Sequence, residues 1–256
     1  MKTLALAIVC VLVTAAGSGS AQPPQAPPDC PELVRALQDV MRADARFKDF
    51  ADLRRYHDAN RDARARVVFL GDSITDSWSR PQSGGFFPGK PYADRGISGQ
   101  TTPQMLIRFR PDVVALHPDA VVILAGTNDI AGNTGPMTDE EVEGNLASIC
   151  ELAQASQIRV VLSSILPVGE AHRRPPSAAI TSSRPLSRIV AINKWMRAYA
   201  AEHHHVYLDY YSAMADERGL LQADLSEDDL HPNAKGYAVM APIAEAAVQQ
   251  VLREPR

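Results

Sequence analysis

From residue 66 onward the chain alternates short apolar runs, rich in β-branched residues, with loops of small polar residues and stretches of helical spacing. The runs cover 66–70, a weak one around 93–95, then 120–125, 159–163 and 205–208. Continuous apolar runs fit strands buried on both faces, and the helical stretches between them provide crossovers for a parallel sheet. The pattern predicts an α/β fold with helices on both faces of that sheet. One helix is announced by Thr138 ahead of Asp139, Glu140 and Glu141, a capping-box pattern leading into Leu146, Ile149, Leu152 and Ala153. Others are predicted over 185–201 and 233–252. Earlier, Leu33, Leu37, Val40 and Met41, then Phe47, Phe50, Leu53 and Tyr56, recur every three or four residues. This spacing predicts helices over 31–62 that pack on the later core. No solenoid repeat or long heptad is present.

The first residues place Lys2 ahead of an apolar run over 4–16, followed by small residues ending in Gly19-Ser20-Ala21. This reads as a signal peptide over 1–21, the run being shorter than the ~20 apolar residues a membrane span needs. No later stretch is apolar enough to span. Residues 22–30 form a proline-rich leader, and 31–256 are expected to be one domain, with N-terminal helices at 31–62 and a catalytic core at 66–252. The chain of 256 residues is 45% hydrophobic, enough for a substantial core. Its net charge of −4 becomes −5 once Lys2 leaves with residues 1–21, which contain no acid. Such a balance provides no basic field for nucleic acid. Of three cysteines, Cys10 lies in the signal, and Cys30 with Cys150 fit either a disulfide or two free thiols.

Ligands of open parallel sheets bind beyond the carboxyl ends of the strands. The loops there read GDSITDSW (71–78), GISGQTTPQ (96–104), GTNDIAGNTG (126–135), SSILPVGEAHRRPPSAA (163–179) and DYYSAMADERG (209–219), with LSEDDLHPNAKGY (225–237) before the last helix. A serine nucleophile needs a base, a group that orients the base, and donors for the oxyanion. Ser73 follows a strand directly and fits the nucleophile, although a serine there can equally cap the next helix. Asp228, three residues before His231, can fix the imidazole tautomer, with Asp229 and Asp224 as competing orienters. Gly99 offers an unobstructed amide and Asn128 a side-chain amide for the oxyanion; taken singly, each also fits a turn.

Together, GDSITDSW, RGISGQTT, LAGTNDIAGNTG and DDLHPNAKGY resemble the blocks of the GDSL or SGNH hydrolases over roughly residues 66–251. Ile74 stands where the family name has Leu. The resemblance implies a flavodoxin-like three-layer α/β/α sandwich with a five-stranded parallel sheet. It also implies Ser73 as nucleophile, His231 as base, Asp228 as orienter, and an oxyanion hole of the Ser73 amide, Gly99 and Asn128. The implied reaction is ester hydrolysis through an acyl-enzyme, with no cofactor and no metal.

Two rivals remain on the sequence. Asp72, Asp129, Asp228 and His231 could hold a cation for phosphoester hydrolysis, or the chain could bind glycans without catalysis. His203, His204 and His205 do not present three ligands to one side of a regular element, and they read as packing or exposed residues. Trp78 and Trp195 read as packing. The stretch 168–188 carries Arg173, Arg174, Arg184 and Arg188, and fits either a border to an anionic lipid or sugar group or a solvated insertion. Without a long hydrophobic lid, a short acyl group such as acetyl on a glycan or lipid is the expected substrate. A lysophospholipase or longer-chain esterase is the alternative.

Overall fold

The computed structural model describes residues 34–35, 37–40, 48–172 and 180–253. The expected signal peptide and leader, Cys10, Cys30, Arg173 and Arg174 lie outside them. The chain divides into two compact units, Met1–Ala43 and Asp44–Arg256. In the first, residues 34–35 and 37–40 are helical, and Val34, Leu37 and Val40 are exposed.

The second unit carries a five-stranded, wholly parallel sheet: β1 (Val67–Gly71), β2 (Tyr92–Gly96), β3 (Ala120–Leu124), β4 (Arg159–Ser163) and β5 (Val206–Leu208), in the order β2-β1-β3-β4-β5. The described helices are α1 (His57–Arg61), α2 (Ser73–Trp78), α3 (Thr102–Asp112), α4 (Thr127–Ile130), α5 (Asp139–Ala155), α6 (Ile180–Ser183), α7 (Leu186–Glu202), α8 (Tyr210–Met214) and α9 (Ala234–Arg253).

Successive β-strand side chains face opposite sides, and the core divides accordingly. Val68, Leu70, Val121 and Ile123 pack with Phe109 of α3, Leu146 of α5 and Ile192 of α7. Val67, Phe69, Val122 and Leu124 pack with Trp78 of α2 and Met240 and Val248 of α9. Three layers result because each strand face is apolar and each finds helices to cover it. The strand reading was weakest at β2, an edge strand written Tyr-Ala-Asp-Arg-Gly in which only the last two residues are buried. An edge strand with half-solvated faces needs few apolar residues.

Two expectations change. Residues 49–56 form no helix: they run as turns, Asp52 has φ +51°, and Phe50 and Leu53 are exposed. The segment is held by backbone carbonyls instead, since Gln104 Nε2 donates to Phe50 O (2.6 Å), Gln100 Nε2 to Ala51 O (2.7 Å), and the Tyr56 hydroxyl to Gly96 O. The stretch 96–104, expected as a loop, already contains the start of α3, with Thr101 and Gln104 forming a capping box and Pro103 in the first turn. No described helix is long and apolar enough to cross a membrane. Cys150 is a buried free thiol, and burial pushes its pKa up to about 12, which disfavours the thiolate.

Candidate active site

The strand ends align because the register does: Gly71 pairs with Gly96 on one side and with Leu124 on the other. The sequence order reverses between β1 and β3, the place where a crevice opens in a doubly wound sheet. α2 begins immediately after β1. A Cβ on Gly71 would lie 2.0 Å from the Thr75 hydroxyl, so only glycine permits this sharp exit. Asp72 caps α2, accepting from Ile74 N through Oδ1 (2.9 Å). The cap role is therefore filled by Asp72, and the Ser73 hydroxyl is left for another partner.

That partner is His231. Ser73 Oγ lies 2.8 Å from His231 Nε2, and His231 Nδ1 lies 2.7 Å from Asp228 Oδ2. An ionised carboxylate can only accept, so Nδ1 carries the proton and Nε2 is the acceptor for the serine. Asp228 is fixed in turn, its Oδ1 accepting from Leu230 N (3.1 Å) and His231 N (2.7 Å). Burial acts to raise its pKa, but the hydrogen bonds from the His231 ring and these amides prevail and hold it at about 2. α9 ties this loop back to the serine, for the Tyr237 hydroxyl donates to Ile74 O (2.7 Å).

Of the competing orienters, Asp224 points to Lys235 (3.9 Å). Asp229 takes a second histidine: it accepts from Ala171 N, His172 N and His172 Nδ1 (3.0 Å to the ring). Asp229 is a non-glycine residue at φ +68°, and these bonds hold it there. Two consecutive aspartates thus orient two histidines, both of which line one cleft of about 1140 Å³ with Ser73, Gly99 and Asn128.

Gly99, at φ +81°, lies at the edge of this cleft, and Asn133 Nδ2 donates to its carbonyl (3.0 Å). Asn128, 3% exposed, donates one amide proton to Gln100 O (3.0 Å). Its carbonyl accepts from Arg184 Nη2 (3.2 Å), while Arg184 Nε donates to Thr127 Oγ1 (3.1 Å). Arg184 is buried, and Arg188 donates to Asp139 and to the carbonyls of Ile130 and Met137. Within the described residues, these two arginines of the 168–188 stretch brace the fold instead of forming a solvated insertion.

Sequence reasoning missed the polar frame behind the serine. Arg108, fully buried on α3, donates to Gly71 O (2.9 Å), to Gln100 Oε1 and to Asp112 (3.1 Å). Asp129 accepts from Thr102 N (2.9 Å) and its hydroxyl, joining α4 to α3. For the Asp229–His172 pair, also missed, the signal was the Asp228-Asp229 doublet, which supplies one acid more than His231 needs. The alternative cation set is not assembled, and no group of three or more His, Cys, Asp or Glu residues is placed to hold a metal among the described residues. His203 stacks on Tyr199 (4.1 Å), and Trp78 lies within an aromatic cluster with Phe69, Phe86, Phe87 and Tyr237.

Known proteins resemble the chain in sequence and in fold. A crystal structure of a Bacteroides fragilis protein assigned to the acylhydrolases is 38% identical, with 79% of this chain and 98% of that chain covered and a TM-score of 0.72. A GDSL-like lipase of Bacteroides thetaiotaomicron is 37% identical over 78% of this chain and 98% of its own, with a TM-score of 0.70. An acetylxylan esterase of Geobacillus stearothermophilus is 25% identical over 69% of this chain and 90% of its own. With residues 69–239 matching the GDSL-like lipase/acylhydrolase family, the chain belongs to that family and is by class a carboxylic ester hydrolase.

Proposed function

We propose that the cleft hydrolyses short-acyl esters, acetyl above all, carried on a glycan, through a covalent acyl-enzyme. The observation that carries this reading is the continuous chain from Ser73 Oγ to His231 Nε2 and from His231 Nδ1 to Asp228, at 2.8 and 2.7 Å. Ser73 attacks the ester carbonyl as His231 takes its proton, while Asp228 stabilises the imidazolium. The Ser73 and Gly99 amides and the second amide proton of Asn128 receive the oxyanion. His231 then protonates the departing alcohol, and water, activated by the same imidazole, releases the acid and restores Ser73.

The substrate class rests on the cleft wall. Ser77, Gln82, Ser98, Glu227, Asn233 and Lys235 line it with Ser73 and offer hydroxyl, amide and charged groups to sugar hydroxyls, beside apolar surface from Ala223, Leu230, Pro232 and Ala234 that can take a short acyl group. The similarity to an acetylxylan esterase supports the same class, and the signal-like pattern of residues 1–21 supports an exported enzyme meeting such substrates.

The test compares nitrophenyl esters from acetyl to palmitoyl, acetylated xylo-oligosaccharides and lysophospholipids, with fluorophosphonate labelling of the protein. Turnover is expected to be fastest on acetyl esters, with acetate released from the sugars and labelling at Ser73. Ser73→Ala is expected to lose about 10⁴-fold or more in kcat. Fastest turnover on palmitoyl esters or lysophospholipids would overturn the short-acyl assignment, and full activity in Ser73→Ala would overturn the mechanism.

A further inference from the structure

Asn128 faces two groups of fixed polarity. Arg184 can only donate and the Gln100 carbonyl can only accept. The Asn128 oxygen must therefore lie toward Arg184 Nη2 (3.2 Å) and its nitrogen toward Gln100 O (3.0 Å). One amide proton is thereby engaged, and Asn128 lines the cleft with Ser73 and Gly99, where its second amide proton can serve as a donor. Reversing the amide would set oxygen against the Gln100 carbonyl and an N–H₂ against a guanidinium, two repulsive contacts in a buried site.

Arg184 is built to hold that position. It is buried, its Nε anchors on the Thr127 hydroxyl of the same short helix (3.1 Å), and Nη1 lies 3.2 Å from Ser183 Oγ. A guanidinium can grip two neighbouring acceptors at once with a planar fork, which an ammonium cannot do. Its charge on the amide oxygen also polarises the N–H₂ toward stronger donation.

We infer that Arg184 is a positioning residue for ester hydrolysis: it locks the Asn128 side-chain amide with its N–H aimed at the developing oxyanion, and does not itself recognise an anionic substrate. The inference rests on the proposed role of Asn128 in the oxyanion hole. An orienter of this kind acts on the transition state more than on the bound ester. Its removal should therefore lower kcat and leave KM nearly unchanged.

The test is a double-mutant cycle on nitrophenyl acetate with Arg184→Ala, Asn128→Ala and the double variant, plus Arg184→Lys as a variant that keeps the charge and much of the bulk. Thermal melting of each variant shows whether it is folded. Asn128→Ala is expected to lose about 10²–10³-fold in kcat, the usual effect of deleting one oxyanion donor. Arg184→Ala should lose about 10- to 100-fold in the native background and less than about threefold in the Asn128→Ala background, because a positioned group that is absent cannot be mispositioned. Arg184→Lys should fall between the native enzyme and Arg184→Ala, and if Arg184→Ala does not fold, the cycle is run with Arg184→Lys. An equal loss from the arginine change in both backgrounds, or a loss confined to KM, would overturn the role of Arg184 while leaving Asn128 in place. A native kcat in Asn128→Ala would remove the oxyanion reading and this inference with it.

Discussion

The two sides of the cleft are made in opposite ways. On the Asn128 side the functional groups are buried, and each is held by residues far away in sequence: Asn128 by Gln100 and Arg184, Gly71 by Arg108, Thr102 by Asp129. On the His231 side the contact that orients the base is local, Asp228 and His231 lying three residues apart within one turn, and both side chains are partly exposed, 35% for His231 and 41% for Asp228. The acids on the two sides are displaced in opposite directions. Burial pushes Asp72 up to about 6 against the hydrogen bond from Ile74 N, and its Oδ2 is buried without a hydrogen-bond partner among the described residues. Asp228, despite the upward effect of its burial, is held at about 2 by its hydrogen bonds. A donor for a developing charge gains strength from a dry, fixed setting. A base that must accept and return a proton gains from a carboxylate that stays ionised and from access to water.

The comparison breaks most visibly at Asp228. Asp228→Asn should lower kcat about 10³–10⁴-fold, because an amide no longer selects the tautomer with a proton on Nδ1. Its melting temperature should fall only modestly, because solvent screens the stability that this partly exposed carboxylate contributes. Steady-state kinetics and thermal melting on one preparation check both halves, and a kcat within tenfold of native would remove Asp228 from the proposed mechanism.

The reverse outcome is expected at Arg108. Arg108→Ala leaves Asp112 as an uncompensated buried charge and frees the Gly71 carbonyl, so stability should fall by about 3–5 kcal/mol in denaturant titration. A loss below about 1 kcal/mol would show that the frame behind the serine is not an energetic unit.

The smallest effect sharpens the contrast through pH. A carboxyl raised from 3.8 to about 6 in the folded state contributes stability that is complete below the lower value and is lost as pH rises through the upper one. Asp228, being depressed, acts oppositely, its contribution being present above 3.8 and lost as pH falls toward 2. Asp72→Asn should therefore flatten the decline of stability between about pH 4 and 6 while leaving the acid limb below 4 unchanged. Stability measured across that range checks the sign; a native slope in Asp72→Asn would assign the decline to other groups.

Much of the fold was legible in local pattern. The strands of 66–70, 120–125 and 159–163 announced themselves through unbroken apolar runs, and α5 through Thr138 and Glu141, because burial on both faces and capping are properties of neighbouring residues. The helix over 49–56 was misread for the same reason: Phe50 and Leu53 satisfy helical spacing, but Gln100 and Gln104 capture the backbone carbonyls there, a contact across about fifty residues that periodicity does not encode.

The sequence by itself determined the parallel α/β architecture, the strand-end loops, and the turn in which Asp228 can reach His231, all of which follow from spacings of a few residues. Only the tertiary structure decided that Asp72 caps α2 so that Ser73 faces His231, that Asp229 takes His172, and that Arg184 turns inward to hold Asn128. A buried polar group must find its partner wherever the fold places one, so the polarity of Arg184 was visible in the chain while the acceptor that fixes its role lay fifty-six residues away.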